Sequence, residues 1–184
     1  MTAVHIFSIG HSKHPIAVFL ALLAQHDIAV VADVRSMPYS RFSPQFSRRA
    51  LEQAIAAAGR GYVFLGAELG GRPSDPACYD EHGHVLYGRR ARSSEFQAGI
   101  ARLEAELARQ RVAMMCSEEN PEQCHRRLLV GRVLAARGVA IDHIRGDGRI
   151  EPESALARGD DRQGELFDAG AWRSSHAVRS RSRS

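Results

Sequence analysis

Arg111-Val-Ala-Met-Met-Cys116-Ser-Glu-Glu-Asn-Pro121-Glu-Gln-Cys124-His125-Arg126 decides how this chain folds. The apolar run Arg111–Cys116 has the continuous hydrophobicity of a strand buried on both faces. It ends at a thiol and gives way to a polar loop. Pro121 suits the first turn of a helix, which reads to about Arg137 and stops at Gly138. Val139–Ile144 is apolar again. Strand, loop, helix and strand in that order make a βα unit, and such units build parallel sheets.

The same alternation extends upstream. His5–Gly10 is a short strand. Pro15–His26 carries Ile16, Phe19, Leu20 and Leu23 on one helical face. Ile28–Ala32 is a second strand, Ser47–Ala58 a helix stopping at Gly59, and Tyr62–Leu65 a third strand. An irregular stretch from Gly66 to about Arg92 contains Gly70, Gly71, Pro73, Pro76 and Gly83. A loop this long inside a compact domain is usually functional or mobile. Ser94–Gln110 resumes as an amphipathic helix through Phe96, Ile100, Leu103 and Leu107. The expectation is one three-layer α/β domain over residues 1–148, with a mainly parallel sheet of about five strands. Residues 149–184 hold scattered apolar residues, then arginines among serines, and read as a disordered tail.

The 184 residues suffice for one core with a short appendage. No run of about 18 apolar residues is present, so no membrane partner is expected. The first ten residues lack a basic region and a cleavage site, which makes them a strand rather than a signal peptide and the expected location cytoplasmic. Cys78, Cys116 and Cys124 are too few for a disulfide framework. The net charge is +4, and Lys13 is the single lysine among 25 basic residues. Arginine suits phosphate through its planar fork of donors. A GC-rich genome explains the same bias, so charge alone decides nothing.

Ligands of open α/β sheets bind beyond the carboxyl ends of the strands. His11 and Ser12 follow the first strand here. Asp33, Arg35, Ser40 and Arg41 follow the second, and Glu68, Gly70 and Gly71 the third. Cys116, Ser117, Glu118 and Glu119 follow the fourth, then Cys124, His125 and Arg126; His143 ends the fifth. Cys116 near a helix start is a candidate nucleophile, with His11 or His125 as acid–base partner. Arg35, Arg41 and Arg126, with Ser12, Ser40, Gly70 and Gly71, are candidate anion contacts. Asp33 and Arg35 alternate along a strand end, so a salt bridge between them is expected to present the guanidinium. Glu118, Glu119 and Glu122 count against an anion, and suit a base edge or a metal instead. No cofactor is assigned. A divalent metal on Cys116, Cys124 and His125 is the alternative, against which stands the 100° between helical neighbours Cys124 and His125.

Several of these segments recur together. Ser8-Ile9-Gly10-His11-Ser12, Asp33-Val34-Arg35 with Pro38 and Ser40-Arg41, Phe46, Leu69-Gly70-Gly71, and Cys116-Ser117-Glu118 through Cys124-His125-Arg126 resemble the bacterial and archaeal proteins called domain of unknown function 488. The likeness spans about residues 6 to 145 in order. Ser8 stands where threonine is the commoner family residue. The resemblance implies an α/β fold and a shared Cys/His/Arg site, and hands over no reaction.

Gln163-Gly164-Glu165-Leu166-Phe167 in the tail is similar to the short peptide with which bacterial repair and replication proteins bind the sliding clamp. Leu166 and Phe167 would fill an apolar pocket and Gln163 would supply hydrogen bonds. Three functions therefore compete: an uncharacterised protein acting on or binding a nucleotide or nucleic acid through its Cys/His/Arg site, a non-catalytic DNA-repair or replication adaptor docking on the clamp, and a metal- or redox-sensing domain. Whether the protein is an enzyme is left open.

Overall fold

A computed structural model describes residues 4–157 and 172–178. Its centre is a six-stranded sheet: β1 (His5–Gly10), β2 (Val30–Asp33), β3 (Gly61–Phe64), β4 (Val112–Cys116), β5 (Ala140–Ile144) and β6 (Ile150–Pro152). The order across the sheet is β3-β2-β4-β1-β5-β6. The first five strands run parallel, and β6 pairs antiparallel with β5.

Successive side chains of a strand point to opposite faces, and the core follows that period of two. Phe7, Ile9, Val31, Ala113 and Met115 meet Phe19, Leu22 and Leu23 of α1 (Ile16–Gln25) and Leu51 and Ile55 of α2 (Arg48–Ala57). Ile6, Val30, Ala32, Val112 and Met114 meet the other layer. There α5 (Ser94–Leu107) contributes Phe96, Ile100 and Leu103. A wide π-helical stretch, Arg126–Gly131, continues as α6 (Arg132–Ala136) and contributes Leu129, Val130 and Leu134. Full burial of a Val, Leu, Ile, Phe or Met side chain of this kind stabilises the domain by roughly 1.5–3 kcal/mol. The three-layer α/β domain with a mainly parallel sheet is thus the architecture present.

Three segments depart from the sequence expectation. The stretch after β3 is not irregular throughout: it contains α3 (Gly66–Leu69), a 3-10 turn at Pro76–Cys78 and α4 (Tyr87–Arg92). The helix after β4 begins near His125 rather than at Pro121, which sits in a turn, so Cys124 precedes the helix. The domain also continues past residue 148. Arg145 and Arg149 close a hairpin, with the Arg145 N–H donating to the Arg149 carbonyl at 2.9 Å. Gly148 takes φ +85° in that hairpin, a conformation glycine adopts at little cost. The chain then forms β6 and α7 (Glu153–Ala157). Residues 172–178 pack back as well: the Trp172 indole N–H donates to the Leu128 carbonyl at 2.9 Å, and Arg173 bridges to Leu86. These two pieces of the expected tail belong to the domain. No helix among the described residues is long and apolar enough to cross a membrane.

Candidate functional site

Strand order creates the crevice. The chain leaves β1 and β2 toward the layer of α1 and α2, and leaves β4, which lies between them, toward the opposite layer. Loops diverging from neighbouring strands open a gap at their carboxyl ends. Ladder hydrogen bonds run on into the loops and fix them: His11 N–H to the Cys116 carbonyl at 2.9 Å, Ser12 N–H to Ser117 at 2.9 Å, and Val34 N–H to Met115 at 3.1 Å. His11, Arg35 and Cys116, distant in sequence, are therefore held at one edge.

Asp33 and Arg35 form the salt bridge expected of their spacing. Arg35 Nε donates to Asp33 Oδ1 at 2.9 Å and a terminal nitrogen to Oδ2 at 2.7 Å. The Tyr62 hydroxyl donates to the same carboxylate at 2.7 Å. The other terminal nitrogen of Arg35 donates to His11 Nε2 at 3.1 Å, which leaves His11 Nδ1–H to donate to the Ser12 carbonyl at 2.8 Å. His11 also stacks on Phe46, with centroids 4.2 Å apart. Burial, reinforced by the Arg35 charge, lowers the His11 pKa to about 4. Both nitrogens of this imidazole are engaged, one of them on Arg35. Arg35 keeps two of its five N–H donors and faces the cleft.

Cys116, Cys124 and His125 converge beside this network. His125 Nε2 donates to the Val34 carbonyl at 2.9 Å. Nδ1 is thereby turned to the sulfurs, 3.8 Å from Cys116 and 4.0 Å from Cys124. The objection from helical spacing fails because Cys124 lies before the helix. Gly71 makes room for the ring: a Cβ there would stand 2.7 Å from His125 Cγ. Gly70 in turn lies against Ser36. The two glycines thus shape the site sterically. The hydrogen bond from Cys124 holds the Cys116 thiol below its usual pKa against the opposing effect of burial, while burial pushes Cys124 well up. Burial opposes a charged His125, but its bonds to Cys124 and the Val34 carbonyl carry its pKa above the ordinary value. The two sulfurs and Nδ1 lie within 4.8 Å of one another, so the three residues could hold a metal ion.

Arg126 does not contact the cleft as an anion holder would. It is fully buried, donates through Nε to Ser8 Oγ at 2.9 Å, and clasps the carbonyls of Glu118 and Glu119. The acidic trio also divides. Glu119 pairs with Arg145 at 2.8 Å and accepts from Gly146 N–H, and Glu122 pairs with Asn120. Only Glu118 of the three lines the cleft. Glu68 is paired with Arg102. His143 is buried, accepts from Ser8 at Nδ1 and donates to Glu153 at 2.8 Å, so the end of the fifth strand supplies no cleft residue.

The cleft above the sulfurs measures about 470 Å³. Its lining includes the buried Arg35 and Cys116, the half-buried His125 and the exposed Ser117, Met37, Tyr39 and Arg72. Tyr39 is 66% exposed and Phe42, on the same loop, 90%. Residues 174–178 form a further wall. Ser12, Ser40 and Arg41 are not among the cleft residues; Ser40 accepts from the Ser43 N–H instead. Gln163, Leu166 and Phe167 lie outside the described residues.

Sequence reasoning missed Tyr62, the Val34 carbonyl, Glu153 and the 174–178 wall. The first was legible in principle: Asp33 pairs with Phe64 and Val31 with Tyr62, so Tyr62 and Asp33 sit two positions apart in the register of adjacent strands and share a face. The wall lies far along the chain from every other cleft residue, so no local spacing ties it to the cleft.

No curated protein and no solved structure matches the chain significantly. A family model does, over residues 15–133, which takes in every strand end of the crevice except that of β1 and the short edge beyond α6. On that match the chain belongs to the family described as domain of unknown function DUF488.

Proposed function

We propose that the protein binds a nucleotide, free or within a nucleic acid, in the cleft and presents it to the Cys116–Cys124–His125 centre. The observation that carries this reading is the mixture of groups around one opening. Tyr39 and Met37 offer a stacking surface at the rim, Arg35 keeps unused donors in the depth, Arg72 adds a second cation, and Glu118 adds one acceptor. A ligand with a flat ring, an anionic group and an amino edge satisfies all of them. Aromatic stacking is sequence-tolerant because every base has a π face, and Glu accepts from an exocyclic amine. Cys116 and His125 carry the chemistry, with His11, Asp33 and Tyr62 holding Arg35 in place. Three free cysteines fit a reducing, cytoplasmic setting. Docking of residues 163–167 on the sliding clamp is a separate proposal that rests on their sequence alone.

Titration of the full chain with nucleoside monophosphates and short single-stranded oligonucleotides tests the reading. Saturable binding is expected, weakened roughly tenfold by Tyr39→Ala, since one base stack contributes about 1–3 kcal/mol. Cys116→Ser should retain binding and lose any turnover found. Absence of binding to every probe at about millimolar concentration overturns the proposal.

A further inference from the structure

We infer that Cys116, Cys124 and His125 form a mononuclear site for a zinc-class metal ion, with one coordination position open to the cleft. The inference deepens the cleft reading above, since it assigns the form in which these residues act.

The donors have the right chemistry and the right separations. Two thiolates and one imidazole are soft to borderline ligands, which favour zinc, cobalt or cuprous ions over magnesium or calcium. Zinc–sulfur bonds of about 2.3 Å and zinc–nitrogen bonds of about 2.0 Å set tetrahedral neighbours roughly 3.5–3.8 Å apart. The S···N separations of 3.8 and 4.0 Å lie within about half an ångström of the sulfur–nitrogen value at the lower end of that range. All three ligand atoms lie within 4.8 Å of one another.

The surroundings fit the same reading. A histidine bound to metal through one nitrogen commonly donates its other N–H to a carbonyl, which fixes tautomer and ring direction. His125 Nε2 does this to Val34, and Gly71 leaves the ring its space. Each ligand sits where the backbone is held: Cys116 ends β4, and the Cys124 carbonyl accepts from the N–H groups of Arg127 and Leu128. The guanidinium of Arg126, clasped nearby, offsets the charge of two thiolates.

No fourth His, Cys, Asp or Glu joins the cluster among the described residues. Structural zinc sites are closed by four protein ligands, whereas catalytic sites have three and leave a place for water or substrate. Cys116 and His125 both line the cleft. The open position therefore faces the space where the ligand is proposed to bind.

The test uses the full chain, purified without a histidine tag or chelator. Elemental analysis should find about one zinc per chain. Replacement by Co2+ should give thiolate-to-cobalt charge transfer and the intense visible bands of tetrahedral cobalt, and added imidazole should shift those bands by filling the fourth position. Cys78→Ala, at a buried cysteine outside the cluster, should leave the spectrum unchanged. Cys124→Ala and His125→Ala should each weaken Co2+ binding at least tenfold. Less than about 0.1 metal per chain together with no cobalt–thiolate band in the wild-type protein overturns the inference. So does an unchanged spectrum in both ligand variants. Nucleotide titration of metal-stripped protein separates the two proposals: cleft binding that persists without metal leaves the nucleotide reading standing when the metal site fails, and a cobalt spectrum without nucleotide binding does the reverse.

Discussion

Buried Arg126 donates to the buried Ser8 Oγ and to the part-buried carbonyls of Glu118 and Glu119. Removing the guanidinium strands Ser8 Oγ in the interior and takes the donor from two part-buried carbonyls. Each stranded group costs about 1–3 kcal/mol, so Arg126→Ala should lose about 3 kcal/mol or more in urea unfolding. Arg126→Lys should recover less than half, because one ammonium cannot span three acceptors in different directions. A variant that unfolds like the wild type but no longer binds nucleotide would instead make Arg126 a ligand contact. The residue shows where reading by position reaches its limit. Its place after the fourth strand was legible, but the direction of its side chain was not, because that depends on carbonyls of a loop with no regular pattern. Arg35 was legible in both respects, since alternation along a strand end fixes which neighbour shares its side.

Strands β2 and β4 were readable because burial on both faces leaves continuous apolar runs, Val30–Ala32 and Val112–Met115. The pair β6 and α7 was not, because a three-residue edge strand and a five-residue helix are too short to show a period. One cue was present: Asp147-Gly148 between Ile144 and Ile150 is a hairpin turn signal. Glu153 makes this element testable. Burial alone would raise its pKa, but the bonds from His143 and Arg127 outweigh that and hold it below the usual carboxylate range. Its charge therefore stabilises the fold above the unfolded-state pKa of about 4.3, and that contribution is lost as pH falls through the lowered folded value. Glu153→Gln should be about 1–3 kcal/mol less stable at pH 7. The gap should close toward acid in denaturant unfolding followed against pH. A gap that stays constant down to pH 3 would mean that the charge of Glu153 does not hold β6 and α7 to the sheet.

Across the whole molecule, many arginines serve the protein's own architecture. Arg35, Arg90, Arg127, Arg137 and Arg145 are paired with carboxylates. The net charge of +4 thus carries little information about a partner. What the topology does provide is a single crevice, because β4 lies between two strands whose loops leave by the opposite face. Into it come sulfur, imidazole and guanidinium groups from segments about eighty residues apart in the chain. The wall formed by residues 174–178 completes the opening from the far end of the sequence, held by Ser174 to Val85 and by Ser175 to the Gln123 carbonyl. Mapping by nuclear magnetic resonance tests this convergence most directly. The full chain, labelled with 15N, is titrated with the tightest-binding nucleotide and its amide shifts are followed. Shifts should gather at residues 35–39, 71–72, 116–118, 123–125 and 174–178, with the remaining sheet unmoved. Shifts confined to other surfaces, or the absence of any shift in those five segments, would contradict a common cleft.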